Sequence, residues 1–285
     1  MGEKSLQVTN RPGEHITCLI IMIATIVWVQ WTSFLLSVAW GIGLILLIYT
    51  LFKLRRVRKI SILINDTAIV ALIIVIGYML YHSSGEIIKN GLAGHDAWAV
   101  ILSRLSLILF VLPFALAAML TKKKPLYLAK GSWGTTIYFP WIFKGPVQDP
   151  VWRFMLIFLV VVCSIFSFFI DWGQPQFLVL IGYALSFALI NAVLEELLWR
   201  GYILSHFVSG FGELKGLVIA GVTFGLYHHH LGFSWPVCLL FSIFGIMMGG
   251  VAIRSKGLAP VMVMHFVMNV LFVLSGMIHS AYGGS

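Results

Sequence analysis

Two adjacent glutamates stand inside an otherwise apolar stretch, Asn191-Ala-Val-Leu-Glu-Glu-Leu-Leu-Trp-Arg200. An ionisable group at the centre of a bilayer costs roughly 2.5–3.5 kcal/mol on insertion scales, so each one there needs a reason. The chain has ten carboxylates. Asp66 and Asp171 fall at the ends of apolar runs, and Glu3, Glu14, Glu86, Asp96, Asp149 and Glu213 lie in loops or tails, which leaves Glu195 and Glu196. On a helix, Glu196 and Arg200 are four apart and can pair, while Glu195 points about 100° away. A carboxylate in apolar surroundings, turned away from the nearest guanidinium, suits a general base. The bland alternative is a charged cluster that only holds helices together.

The next apolar run reads Gly221-Val-Thr-Phe-Gly225-Leu-Tyr-His228-His-His. Gly221 and Gly225 form a small-xxx-small face that admits a neighbouring helix closely. His228 follows three residues on, near that face, within prospective reach of Glu195. His229 and His230 point elsewhere and are expected to be solvated at the membrane boundary. Three successive histidines on one helix cannot all face one ion, so the triplet is not read as a metal site. The last run carries His265-Phe-Val-Met-Asn269. Spacing of four puts imidazole and amide on one face, where both can donate to a developing oxyanion.

The elements that must position these groups are membrane helices. A span needs about 20 largely apolar residues. Residues 15–54 suffice for two, with a turn near Gln30–Ser33, and further runs cover 66–82, 98–120, 153–171, 177–209, 215–230, 235–253 and 258–279. The expected fold is therefore an all-α polytopic membrane protein of about nine helices, with the site in the C-terminal bundle. Centring each run puts Glu195, His228 and His265 within a depth band of about 10–12 Å, which tilt and side-chain reach can close. Two regions are expected: 1–150, with N-terminal hairpins and an interfacial segment, and 151–285, with the chemistry. The connection 121–152 holds Pro125, Pro140, Pro146 and Pro150, which break helices. Its Trp141, Phe143 and Trp152 beside Lys144 and Arg153 suit an interfacial stretch on the cytoplasmic leaflet.

Composition agrees. Of the 285 residues, 60% are hydrophobic and 10% charged, against about 25% charged in soluble domains. The net charge of +9 is held in short clusters, such as Arg55, Arg56, Arg58 and Lys59, or Lys122, Lys123 and Lys124. No basic stripe with interleaved aromatics occurs, which argues against a nucleic-acid partner. With the N-terminus cytoplasmic, nearly all basic residues fall inside (Lys4, Arg11, Lys215, Arg254 and Lys256 among them), and Lys89 stands alone outside. The C-terminus is then extracytoplasmic. Cys18, Cys163 and Cys238 lie in apolar runs and read as free thiols. The first apolar run is too long for a signal peptide, so the N-terminus is expected to be retained.

At these residues the sequence resembles the CAAX-protease and bacteriocin-processing superfamily of intramembrane peptidases (CPBP, or Abi). Its motifs EExxxR, FxxxH and HxxxN read here as Glu195-Glu196-Leu-Leu-Trp-Arg200, Phe224-Gly-Leu-Tyr-His228 and His265-Phe-Val-Met-Asn269, over about residues 176–279. The resemblance implies a peptidase in which Glu195, assisted by His228, activates water. It assigns His265 and Asn269 to the oxyanion, and Glu196 and Arg200 to holding the first motif. It implies a membrane-associated peptide, or a lipidated or transmembrane protein, as substrate, in a bacterial or archaeal plasma membrane. No cofactor is expected. The alternative is zinc on Glu195, His228 and His265, which the absence of HExxH disfavours. The rival functions are a non-catalytic scaffold or immunity protein and a proton relay. A relay needs polar groups across the full depth of the membrane, and the first four spans carry almost none apart from Arg104.

Overall fold

The computed structural model describes residues 12–31, 34–55, 62–92 and 96–278. Lys4, Arg11, Arg56, Arg58 and Lys59, the turn at 32–33 and the C-terminus from 279 lie outside the described residues. The chain is mainly helical. The N-terminal helices are α1 (Pro12–Trp31), α2 (Phe34–Arg55), α3 (Ile62–Gly91), α4 (Asp96–Ser103) and α5 (Leu107–Thr121). A hairpin of β1 (Thr136–Phe139) and β2 (Val147–Pro150) follows, then α6 (Val151–Ser167). Next, α7 (Phe177–Glu196) runs without a break through a π-helical stretch, Leu197–Leu204, into α8 (Ser205–Phe211). The chain closes with α9 (Glu213–Tyr227), α10 (Trp235–Ser255) and α11 (Ala259–Leu274).

These helices are apolar nearly all round, the pattern of lipid-embedded rather than surface helices. Among the described residues, Gly13–Trp31, Leu63–Gly91, Ala97–Thr121, Phe177–Phe211 and Trp235–Ser255 are long and apolar enough to cross a membrane. Val38–Thr50, Val151–Ser167 and Ala259–Leu274 are apolar but shorter. The chain is an integral, multi-pass helical membrane protein. α3 outlasts its apolar run, which stops near residue 82; the added turns are polar and carry a Lys89–Glu86 pair at 3.0 Å.

The chain forms two compact units. One comprises residues up to Met79 together with Ile203–Met247; the other comprises Leu80–Tyr202 together with residues from Met248 onward. In the second unit α11 packs most extensively on α7, with α6 also against α11. Phe187, Tyr183 and Leu180 of α7 bury against Ala97 and Ile101 of α4 and Val273 of α11. In the first unit α9 packs on α8 and α1. Gly216 faces the Phe207–Val208 backbone, where a Cβ would collide.

The connection 121–152 contains a β-hairpin that the prolines hid. Thr136 pairs with Pro150 and Phe139 with Val147 in an antiparallel register. Thr136-Ile-Tyr-Phe139 has the β-branched and aromatic composition of a strand. The Arg254 guanidinium donates to Thr136 O at 2.9 and 2.7 Å, tying the hairpin to the end of α10. The preceding strap clamps the α10–α11 turn: Ser132 N–H donates to Ser255 O (2.7 Å), and Leu258 and Ala259 donate to Ala129 and Lys130 (both 2.9 Å). Gly131 has φ +86° and sits so close to Gly257 that a Cβ would come within 3.0 Å of its Cα, so glycine is required on both counts. This clamp fixes the start of α11, the helix that carries His265 and Asn269.

Candidate active site

Glu195 and Glu196 end α7, at the point where the hydrogen-bond ladder widens into the π-helical stretch. Such widened turns concentrate at functional sites. Both carboxylates are buried, Glu195 at 1% and Glu196 at 0% exposure. Arg200, in the widened stretch, donates from Nη1 to Glu196 Oε1 at 2.8 Å. The same oxygen lies 2.7 Å from His265 Nδ1, which must donate to it because a carboxylate oxygen only accepts. Glu196 thus joins two helices, holding Arg200 on its own chain segment and His265 from α11.

The other imidazole nitrogen, His265 Nε2, lies 3.7 Å from Glu195 Oε2. That is beyond a direct hydrogen bond. Two polar atoms so spaced share a locus about 2.8 Å from each, where a water oxygen or a reacting carbonyl oxygen fits. One turn further along α11, Asn269 is also buried, and its Nδ2 has no hydrogen-bond partner among the described residues. One turn before Glu195 on α7, Asn191 is buried with Oδ1 in the same condition. Buried amides in native structures are rarely left unsatisfied, which singles out Asn191 and Asn269 on the two helices that carry the glutamates and His265. Asn191 was missed in the sequence reading; its spacing of four before Glu195 was the available signal.

His228 is placed in the other unit, immediately after the last residue of α9. It is buried, and its Nδ1 donates to Phe224 O at 2.8 Å, which leaves Nε2 as the basic nitrogen of the neutral ring. Its ring packs at 4.6 Å on both Phe224 and Phe241. The FxxxH spacing therefore has a local meaning: residue i−4 supplies the carbonyl and an aromatic wall. The helix admitted by Gly221 and Gly225 is α10, at Ile246, Ser242 and Cys238.

His229 and His230 correct the expectation of solvation. His229 stacks on Trp235 at 4.1 Å and its Nδ1 donates to Phe233 O at 3.0 Å; His230 Nδ1 donates to Tyr227 O at 2.5 Å. Both are half-buried. Nearby aromatic rings and free carbonyls at the helix end supply what water was expected to supply.

Zinc requires three protein ligands and an open position in a catalytic site. Glu196 holds Arg200 and His265 Nδ1 through Oε1, so the second unit offers Glu195, Glu196 Oε2 and His265 Nε2 as remaining polar atoms. No three His, Cys, Asp or Glu side chains among the described residues are arranged to hold a metal ion.

Comparison with known families bears on residues 175–271, which match the model for the Rce1-like type II CAAX prenyl endopeptidases. This segment belongs to the CPBP superfamily. No curated protein and no solved structure gives a significant match to the chain. The CPBP segment runs from the loop before α7 into α11 and includes Glu195, Glu196, Arg200, His228, His265 and Asn269. It places these helices in a family of membrane-bound proteases.

Proposed function

We propose that the protein is an intramembrane endopeptidase that hydrolyses a membrane-associated peptide or protein tail, with Glu195 activating the water. Residues 151–285 carry the peptidase core, on a scaffold of about nine spans. The observation that carries this reading is the division of labour between the two glutamates. Glu196 Oε1 is engaged by both Arg200 Nη1 and His265 Nδ1, whereas Glu195 faces His265 Nε2 across a gap sized for a reacting oxygen.

Glu195 takes a proton from water as the water oxygen bonds to the peptide carbonyl carbon. The carbonyl oxygen becomes an oxyanion, received by Asn269 Nδ2 and by His265 Nε2–H when the ring is protonated. In that state the oxyanion and the Glu196 carboxylate offset the Arg200 guanidinium and the His265 imidazolium, Glu195 being protonated, so the net charge is zero, which a low-dielectric site tolerates. The proton on Glu195 then passes to the leaving nitrogen as the C–N bond breaks. The resemblance adds His228 as the assistant of Glu195. No step requires a metal. The matched family points to prenylated tails ending in a CAAX sequence as the substrate class. A farnesylated CAAX peptide and its unprenylated twin, incubated with the protein in nanodiscs and read by mass spectrometry, test this. Cleavage of the lipidated peptide alone is expected; no cleavage of either refutes the substrate assignment.

A further inference from the structure

Helix α9 stops at Tyr227, and His228–Leu231 continue as a turn of 3-10 helix. In an unbroken α-helix the His230 amide would donate to the carbonyl of Leu226, four residues back. Here one side chain from α1 takes that donor and also bonds that acceptor, which receives a backbone N–H at the helix end as well. His230 N–H donates to Gln30 Oε1 at 2.7 Å, and Gln30 Nε2 donates to Leu226 O at 3.2 Å. The second amide hydrogen goes to Ile26 O, at 2.6 Å, on its own helix. Every polar group of Gln30 is therefore used, and the amide orientation follows, since a carbonyl needs a donor and an N–H an acceptor. A side chain inserted into the i→i−4 ladder is a recognised cause of helix interruption.

We propose that Gln30 is a positioning residue for His228, holding open the break in α9 at which that histidine sits. The inference rests on the reading of His228 as part of the catalytic group. At the break His228 has ψ −10° rather than the helical value near −42°. That backbone, with the Nδ1 bond to Phe224 O, fixes where Nε2 points. Tyr78 of α3 packs edge-on against Tyr227 (6.2 Å) and His230 (5.6 Å), bracing the same turn. Both α1 and α3 lie outside the matched 175–271. The N-terminal helices therefore supply a wedge that the family segment does not contain. Without Gln30, His230 N–H can close onto Leu226 O, lengthening α9 and swinging the His228 ring.

The test uses the full chain in nanodiscs, with Gln30→Leu, Gln30→Glu and His228→Ala assayed for turnover against the farnesylated CAAX peptide and for thermal stability. Gln30→Leu keeps the approximate size but neither bridging bond, and kcat is expected to fall about 10–100-fold with KM within roughly twofold. Gln30→Glu offers one donor and one acceptor when protonated and loses the donor when ionised. It should therefore retain activity at low pH and lose it as pH rises, relative to the wild-type profile. The groups flanking position 30, His228, His229, His230, Tyr78 and Tyr227, are common to both proteins. Wild-type kcat in Gln30→Leu, beside an inactive His228→Ala, overturns the inference. Equal losses in both Gln30 variants at every pH also overturn it. Full turnover by His228→Ala overturns the role of His228 itself, and the Gln30 inference with it.

Discussion

Glu196→Ala should destabilise the protein by an amount of which removing both charges recovers about half, without restoring activity. Arg200 is 2% exposed and its guanidinium is 2.8 Å from Glu196 Oε1. Removing one partner of such a buried pair costs about 3–5 kcal/mol, because the other charge is left uncompensated. That corresponds to a roughly 10²- to 5 × 10³-fold change in the folding equilibrium. In Glu196→Met/Arg200→Leu both charges are gone, and apolar replacement of a buried pair is close to neutral. What persists is the lost acceptor for His265 Nδ1, worth about 1–3 kcal/mol for a buried unsatisfied donor. The double variant should thus recover about 2 kcal/mol of the loss. Turnover should stay depressed by about 10–100-fold in both, as when an outer hydrogen bond that orients a site histidine is removed. Unfolding in SDS mixed micelles gives the stabilities, and peptide cleavage gives the rates. A double variant no more stable than Glu196→Ala would refute the charge argument. Wild-type turnover in either would refute the role of Glu196 in holding His265.

Asn269→Ala should lower kcat by about 10²–10³-fold with KM little changed, as for loss of one oxyanion donor; an effect confined to KM would place Asn269 in substrate binding. Gly225→Ala puts a Cβ against the α10 backbone at Ser242 and Cys238 and should cost about 1–3 kcal/mol of stability. An unchanged thermal midpoint would show that α10 is not so closely packed there. Chelation with phenanthroline, with metal content measured alongside, should leave turnover unchanged; loss that zinc restores would make Glu195 and His265 ligands.

How much of this was legible in the sequence depended on how far each contact reaches along the chain. Glu196 and Arg200 are four apart on a helical stretch, so the pairing follows from periodicity, even though the turn there is π-helical. The bond from His265 to Glu196 links residues 69 apart and depends on how α11 meets α7, which no local pattern encodes. Spacing on α11 put His265 and Asn269 on one face, but not the commitment of Nδ1 to a carboxylate. Gln30 is the opposite case. A polar residue between apolar runs reads as a turn, yet it lies within α1 and serves α9. The hairpin at 136–150 was obscured because four prolines dominate the segment, while its strand signal is two stretches of four residues.

The central claim, that Glu195 activates water for peptide hydrolysis, is tested most directly by comparing the purified wild-type protein with Glu195→Gln in nanodiscs on the farnesylated CAAX peptide in ¹⁸O-water. Wild type should release a product carrying ¹⁸O in its new carboxylate, and Glu195→Gln, folded and monodisperse, should release none above background. Equal turnover by the two proteins would contradict the account.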